Sequence, residues 1–134
     1  MKIYTDGSCR ANGVGGIGVV WVVDDKIVQK YSKRFEGTTN NQMELTAILA
    51  ALVSIKGTID ELEIVTDSQY CLGVLTNPTW KPKKNIELIS VVKKRINKTQ
   101  ELVRTPIVWT HTRGHSDNEF NNLCDKLATD ASSI

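Results

Sequence analysis

No apolar run in this sequence is long enough to cross a bilayer, and the N-terminus, Met1-Lys2-Ile3-Tyr4-Thr5-Asp6, lacks the hydrophobic stretch of a secretory signal. No membrane partner is expected, and a cytoplasmic location is. Cysteine is scarce: Cys9, Cys71 and Cys124 are odd in number, far apart and in no Cys-x-x-Cys spacing. This argues against a disulfide framework and against a cysteine-based zinc site, leaving reduced thiols as the expectation. Low-complexity blocks, internal repeats and linkers are also missing, so the 134 residues are expected to form a single domain over 1–134, large enough to bury one core unaided.

Charge is nearly balanced overall, at +2, but not locally. Residues 81 to 98 hold seven Lys or Arg against one acid, a segment charge of +6 that leaves −4 for the rest. A basic block on an otherwise acidic chain favours a polyanionic partner approaching one side; a solvated helix face is the competing reading.

Strand-like runs at 2–8 and 17–23 flank Gly13-Val14-Gly15-Gly16, and Asp24-Asp25-Lys26 then reverses the chain into a third strand, Ile27 to Phe35. These predict an antiparallel meander. Thr39-Asn40-Asn41-Gln42 has the form of a capping box before the helical pattern Leu45, Ala47, Ile48, Leu49, Ala51, Leu52, with Gly57 as its stop. A short strand, 62–66, precedes a helix from Gln69 to about Leu75, capped by Asp67-Ser68 and ended by Asn77-Pro78. A basic amphipathic helix at about 85–98 is expected to bury Ile86, Ile89, Val92 and Ile96. A fifth strand over 105–110 and a last helix opened by Ser116-Asp117-Asn118-Glu119 complete the chain. The order predicts an α/β fold with a five-stranded mixed sheet, antiparallel at first and extended by parallel strands through helical crossovers.

Asp6 and Asp67 each follow a Thr at the end of an apolar strand, the place where ligand sites form in such sheets, although Asp-Gly and Asp-Ser also suit turns and caps. Glu44 is spaced onto or beside its helix's apolar stripe, where a carboxylate is costly unless it meets a cation; complementing its own helix dipole is the alternative. Asp125 holds a helix-boundary position that can face inward or toward solvent. Four carboxylates without a Cys or His ligand set suit a hard ion such as Mg²⁺ or Mn²⁺, and two such ions about 3.5–4 Å apart support in-line displacement at phosphorus. His115 lies in a loop ahead of a helix, where an imidazole can move protons or stand exposed. His111 and His115 have a His-x3-His spacing that would need further ligands to bind zinc.

Taken in order, Tyr4-Thr5-Asp6-Gly7-Ser8-Cys9, Thr39 to Leu45, Thr66-Asp67-Ser68-Gln69-Tyr70, and Gly114-His115 with Asn118 and Asp125 resemble type 1 ribonuclease H across almost the whole chain. The resemblance implies the ribonuclease H-like fold and endonucleolytic cleavage of the RNA strand of an RNA/DNA hybrid by a monomer, leaving a 5′-phosphate and a 3′-hydroxyl. It implies two Mg²⁺ ions, with Mn²⁺ as substitute. Asp6 would bridge them, Asp125 would complete the water-activating ion, Glu44 and Asp67 the other, and His115 would assist proton transfer or product release. Cys9, Asn12, Asn41 and Gln69 match minor-groove contacts to the hybrid, Thr39 a DNA-phosphate contact, and Trp80 a lining of the DNA side. The stretch from Leu75 to Asn85 is shorter than in relatives with a full basic protrusion. A non-catalytic hybrid-binding module and a recombinase- or resolvase-type nuclease on the same architecture are the alternatives.

Overall fold

The computed structural model describes residues 1–112 and 118–133. Five strands, β1 (Lys2–Cys9), β2 (Gly15–Val23), β3 (Lys26–Phe35), β4 (Glu63–Thr66) and β5 (Val108–His111), form one sheet in the order β3-β2-β1-β4-β5. The first three are antiparallel neighbours, whereas β4 pairs parallel to β1 and β5 parallel to β4, so the mixed sheet has the expected connectivity. β1 is the central strand.

Helices α1 (Asn40–Val53), α2 (Gln69–Thr76), α3 (Ile86–Gln100) and α4 (Glu119–Ser132) divide between the two faces. Alternation along the strands sends Ile3, Ile17, Val19, Trp21 and Ile64 into a core with α1, α2 and α3, and sends Tyr4, Val20, Val22 and Val65 toward α4. α4 lies directly on β2, because a Cβ on Gly16 or Gly18 would clash with the backbone oxygens of Ala128 and Cys124. Cys124 secures this packing by donating its thiol to the carbonyls of Gly18 (2.9 Å) and Tyr4 (3.2 Å). Burial pushes the Cys71 thiol up to about 12 and raises that of Cys124 as well, so both are inert packing groups.

Four local expectations shift. α1 ends at Val53, with the Ser54 amide bonded to Ala50 and Leu52 oxygens, so Gly57 stops nothing. Ile86, 61% exposed at the first position of α3, stays out of the buried stripe; Ile89 and Val92 are buried, and Leu88 packs beside them with Ile96. β5 begins only at Val108, since the Gln100 side chain takes the Ile107 amide and the Thr105 carbonyl, tying that segment to the end of α3. α4 is capped by Asn118, whose side chain accepts the Phe120 and Asn121 amides; Ser116 lies outside the described residues. Among the described residues, no helix is long and apolar enough to cross a membrane.

Candidate metal centre

The carboxyl end of β4 lies beside the middle of β1, with Thr5 paired to Thr66, so Asp6 stands within its strand and not at the strand end expected for it. Asp6 lies inside β1 and is 3% exposed, so it serves no turn. Asp67 follows the last residue of β4, and the cap of α2 falls to Ser68, whose hydroxyl accepts the Cys71 amide at 3.1 Å. That division of labour leaves the Asp67 carboxylate free of cap duty. Glu44 enters from α1, where Thr39 is the cap, and sits beyond the first turn. One oxygen from each of Asp6, Glu44 and Asp67 falls within 4.8 Å of the others.

Gly7 makes this approach feasible. A Cβ there would overlap the Glu44 nitrogen and the Met43 carbonyl carbon, so only glycine lets α1 cross the strand so closely. The Gly7 amide then donates to both Glu44 Oε1 (2.6 Å) and Asp6 Oδ1 (2.9 Å). Local sequence pattern presents Asp6-Gly7 only as turn chemistry and misses this role; the nearness of a Gly to a suspected ligand is the available signal. His111, notable in the sequence only for its spacing to His115, places Nε2 at 3.2 Å from the Asp67 carbonyl and so buttresses the backbone carrying that carboxylate.

Burial and the Asp67 charge push the Asp6 carboxyl up to about 8, from an ordinary 3.8. Burial and the charges of Asp6 and Asp67 hold Glu44 well above the carboxylate range. The hydrogen bond between the two side chains lowers Asp6 and raises Glu44, but burial and mutual repulsion leave both carboxyls raised. Asp125 lies on the exposed side of α4, outside the 4.8 Å group, yet its side chain and charge act on Asp6 and raise it further. Three or four carboxylates crowded in this way repel one another unless protonated or bridged by a cation, and an all-oxygen donor set fits a hard divalent ion.

Around this centre, Cys9 is half-buried and donates its thiol to the Thr38 carbonyl (3.3 Å), next to Thr39. Asn12 is exposed in the β1–β2 turn, with its Oδ1 accepting the Val14 amide. Asn41 and Gln69 are exposed in the first turns of α1 and α2. Asn41, Tyr70, Trp80, Lys81 and Lys84 line a shallow cleft of about 360 Å³. Trp80 is 43% exposed and meets Tyr70 edge-on. The expectation for His115 lies outside the described residues.

A family model described as RNase H matches residues 1–133. Among curated proteins, a Ribonuclease H from Acetivibrio thermocellus is 42% identical over a 140-residue alignment covering 97% of this chain and 92% of the relative. A Ribonuclease H from Chlorobium phaeobacteroides is 39% identical, with 98% and 94% covered. Among solved structures, the crystal structure of RNase H1 from Halobacterium salinarum aligns with a TM-score of 0.78 at 28% identity, over 97% of this chain and 95% of that one.

Proposed function

The chain belongs to the RNase H family and carries ribonuclease H activity, and from that premise we propose that it hydrolyses the RNA strand of RNA/DNA hybrids at a two-Mg²⁺ centre held by Asp6, Glu44, Asp67 and Asp125. The observation that carries the assignment is the convergence of Asp6, Glu44 and Asp67 within 4.8 Å, with Asp6 pushed up by burial and by its neighbours' charge. Divalent ions bound there supply an activated water and stabilise the leaving oxygen. Mn²⁺ is a natural substitute, because it too favours carboxylate oxygens.

The residues have separable tasks. Asp6, on the central strand, would hold both ions. Glu44 and Asp67 would help hold one of them, oriented respectively by the Gly7 amide and by a backbone that Ser68 and His111 hold. Asp125 would help hold the other from α4. His115 is assigned to proton transfer or product release on its sequence context. Cys9, Asn12, Asn41 and Gln69 meet the minor groove, where RNA shows its 2′-hydroxyls, while Thr39 and Trp80 take the DNA strand. The products are a 5′-phosphate and a 3′-hydroxyl, and the protein acts as a cytoplasmic single-domain monomer.

Incubating one sequence as RNA/DNA hybrid, single-stranded RNA, double-stranded RNA and double-stranded DNA, each with Mg²⁺, Mn²⁺ or EDTA, tests this reading. Metal-dependent cutting confined to the hybrid's RNA strand is expected. Binding without cutting in every condition would point to a non-catalytic module, and cutting of DNA to a recombinase-like enzyme. The Asp67→Asn variant is expected to bind hybrid normally while cleaving it at least about a hundred-fold more slowly, the scale of losing one preorganised electrostatic group.

A further inference from the structure

A second group of side chains, separate from the carboxylates, forms a hydrogen-bonded chain across four segments. Thr38 Oγ1 donates to Gln42 Oε1 (3.1 Å), Gln42 Nε2 donates to Asn85 Oδ1 (3.2 Å), and Asn85 Nδ2 donates to the Tyr70 hydroxyl (3.2 Å). Tyr70 in turn meets Trp80 edge-on, with ring centroids 6.5 Å apart, and the indole lies against Gly73, where a Cβ would clash with it. Gln42 thereby departs from the capping-box pattern: its backbone amide bonds the Thr39 hydroxyl, but its side chain turns outward to Asn85.

Asn85 is the residue these bonds control. It adopts φ 60°, a left-handed conformation that is strained for most non-glycine residues and that Asn tolerates better than most. It also ends the connection 77–85, which has no helix or strand of its own and carries Trp80, Lys81, Lys83 and Lys84, all exposed. A loose loop of cations must be ordered when it meets a polyanion, and that entropy is subtracted from affinity. Here the loop's end is fixed in advance, to α2 through Tyr70 and to α1 through Gln42. Gln42 stands two residues before Glu44 on the same helix, so one element carries both the brace and a carboxylate.

We propose that Gln42 is a positioning residue for the hybrid: through Asn85 it holds the Trp80–Lys84 loop in fixed relation to α1, so that the loop and the carboxylates engage one duplex together. The proposal rests on the hybrid-cleaving reading above. It explains how a connection too short for a full basic protrusion can still present its lysines, by rigidity in place of reach.

Steady-state cleavage of the hybrid by Gln42→Met, Tyr70→Phe and the double variant tests it. Each single substitution is expected to raise KM about five-fold, the size of one missing neutral hydrogen bond, with kcat within about two-fold of the parent protein. Because either change breaks the same chain, the double variant should be no worse than the singles. In the free protein, amides of residues 77–85 should exchange hydrogen faster in Gln42→Met, a readout independent of activity. Unchanged KM in both singles, additive losses in the double, or unaltered exchange would overturn the brace. If the parent protein leaves the hybrid uncut in the same assay, it is the functional reading that falls, and the exchange result still judges the brace.

Discussion

Glu44 on α1 and Gly7 on β1 are joined by a 2.6 Å hydrogen bond, from the Gly7 amide to Glu44 Oε1, across a gap with no room for a Cβ. The same glycine thus sets how close the helix comes and where its carboxylate points.

Gly7→Ala is therefore expected to lower stability by about 2 kcal/mol or more, since the obstruction is helix backbone and not a flexible side-chain tip. Cleavage should fall more than stability, because any shift of α1 carries Glu44 with it. Gly57→Ala is the control: nothing lies within 4 Å of its added carbon, and its thermal midpoint should match the parent's. Equal behaviour of the two variants in thermal unfolding would contradict the role given to Gly7.

Asp6 predicts an unusual pH response in the absence of metal. Its folded pKa, about 8, lies above the ordinary 3.8, so between those values the unfolded chain releases a proton that the folded chain keeps. The stability linked to this group is fully present below about pH 4 and is lost as pH rises toward 8, by a few kcal/mol. In EDTA at pH 8, Asp6→Asn should thus melt above the parent by about 5 °C or more, and the gap should narrow toward pH 5. Added Mg²⁺ should narrow it from the other side, by stabilising the parent. A gap that ignores both pH and metal would remove the electrostatic explanation.

The basic residues divide into two sets with different expected effects. Lys81, Lys83 and Lys84 surround the cleft that holds Trp80 and Asn41, whereas Lys93 lines a separate cleft with Pro78 and Asn97 on α3. Changing the three loop lysines to Gln should weaken hybrid binding and flatten its dependence on log salt by up to about 3, close to one unit for each phosphate that a lysine no longer neutralises. Changing Lys93, Lys94 and Lys98 should flatten it less. Binding titrations from 50 to 300 mM salt, about the range over which such slopes are read, would separate the sets.

Much of this architecture is legible in the sequence. Alternation and turn residues mark β1 to β3, Thr39 announces α1, and the spacing of Glu44 from Ile48, Ala51 and Leu52 places it at the sheet side. What local pattern leaves open is competition between neighbours for one task. Asp67-Ser68 offers two possible caps, and only the fold shows that Ser68 takes the role. Asp6-Gly7 reads locally as turn chemistry, and only the fold shows a strand with a close crossing. The start of β5 depends on Gln100 reaching forward to Thr105 and Ile107, and the course of 77–85 on a residue of α1; neither tie leaves a periodic trace.

The position of β1 at the middle of the sheet has a consequence for how the protein fails. Asp6 belongs to a strand paired on both sides, whereas Asp125 belongs to a helix that rests on one face of the sheet only, through Cys124, Ala128 and the partly buried Phe120, Leu123 and Leu127. Partial openings release peripheral elements at lower free energy than central strands. On warming, α4 should lift while the sheet remains intact, separating Asp125 from Asp6, so that activity fades in a molecule whose centre has yet to melt.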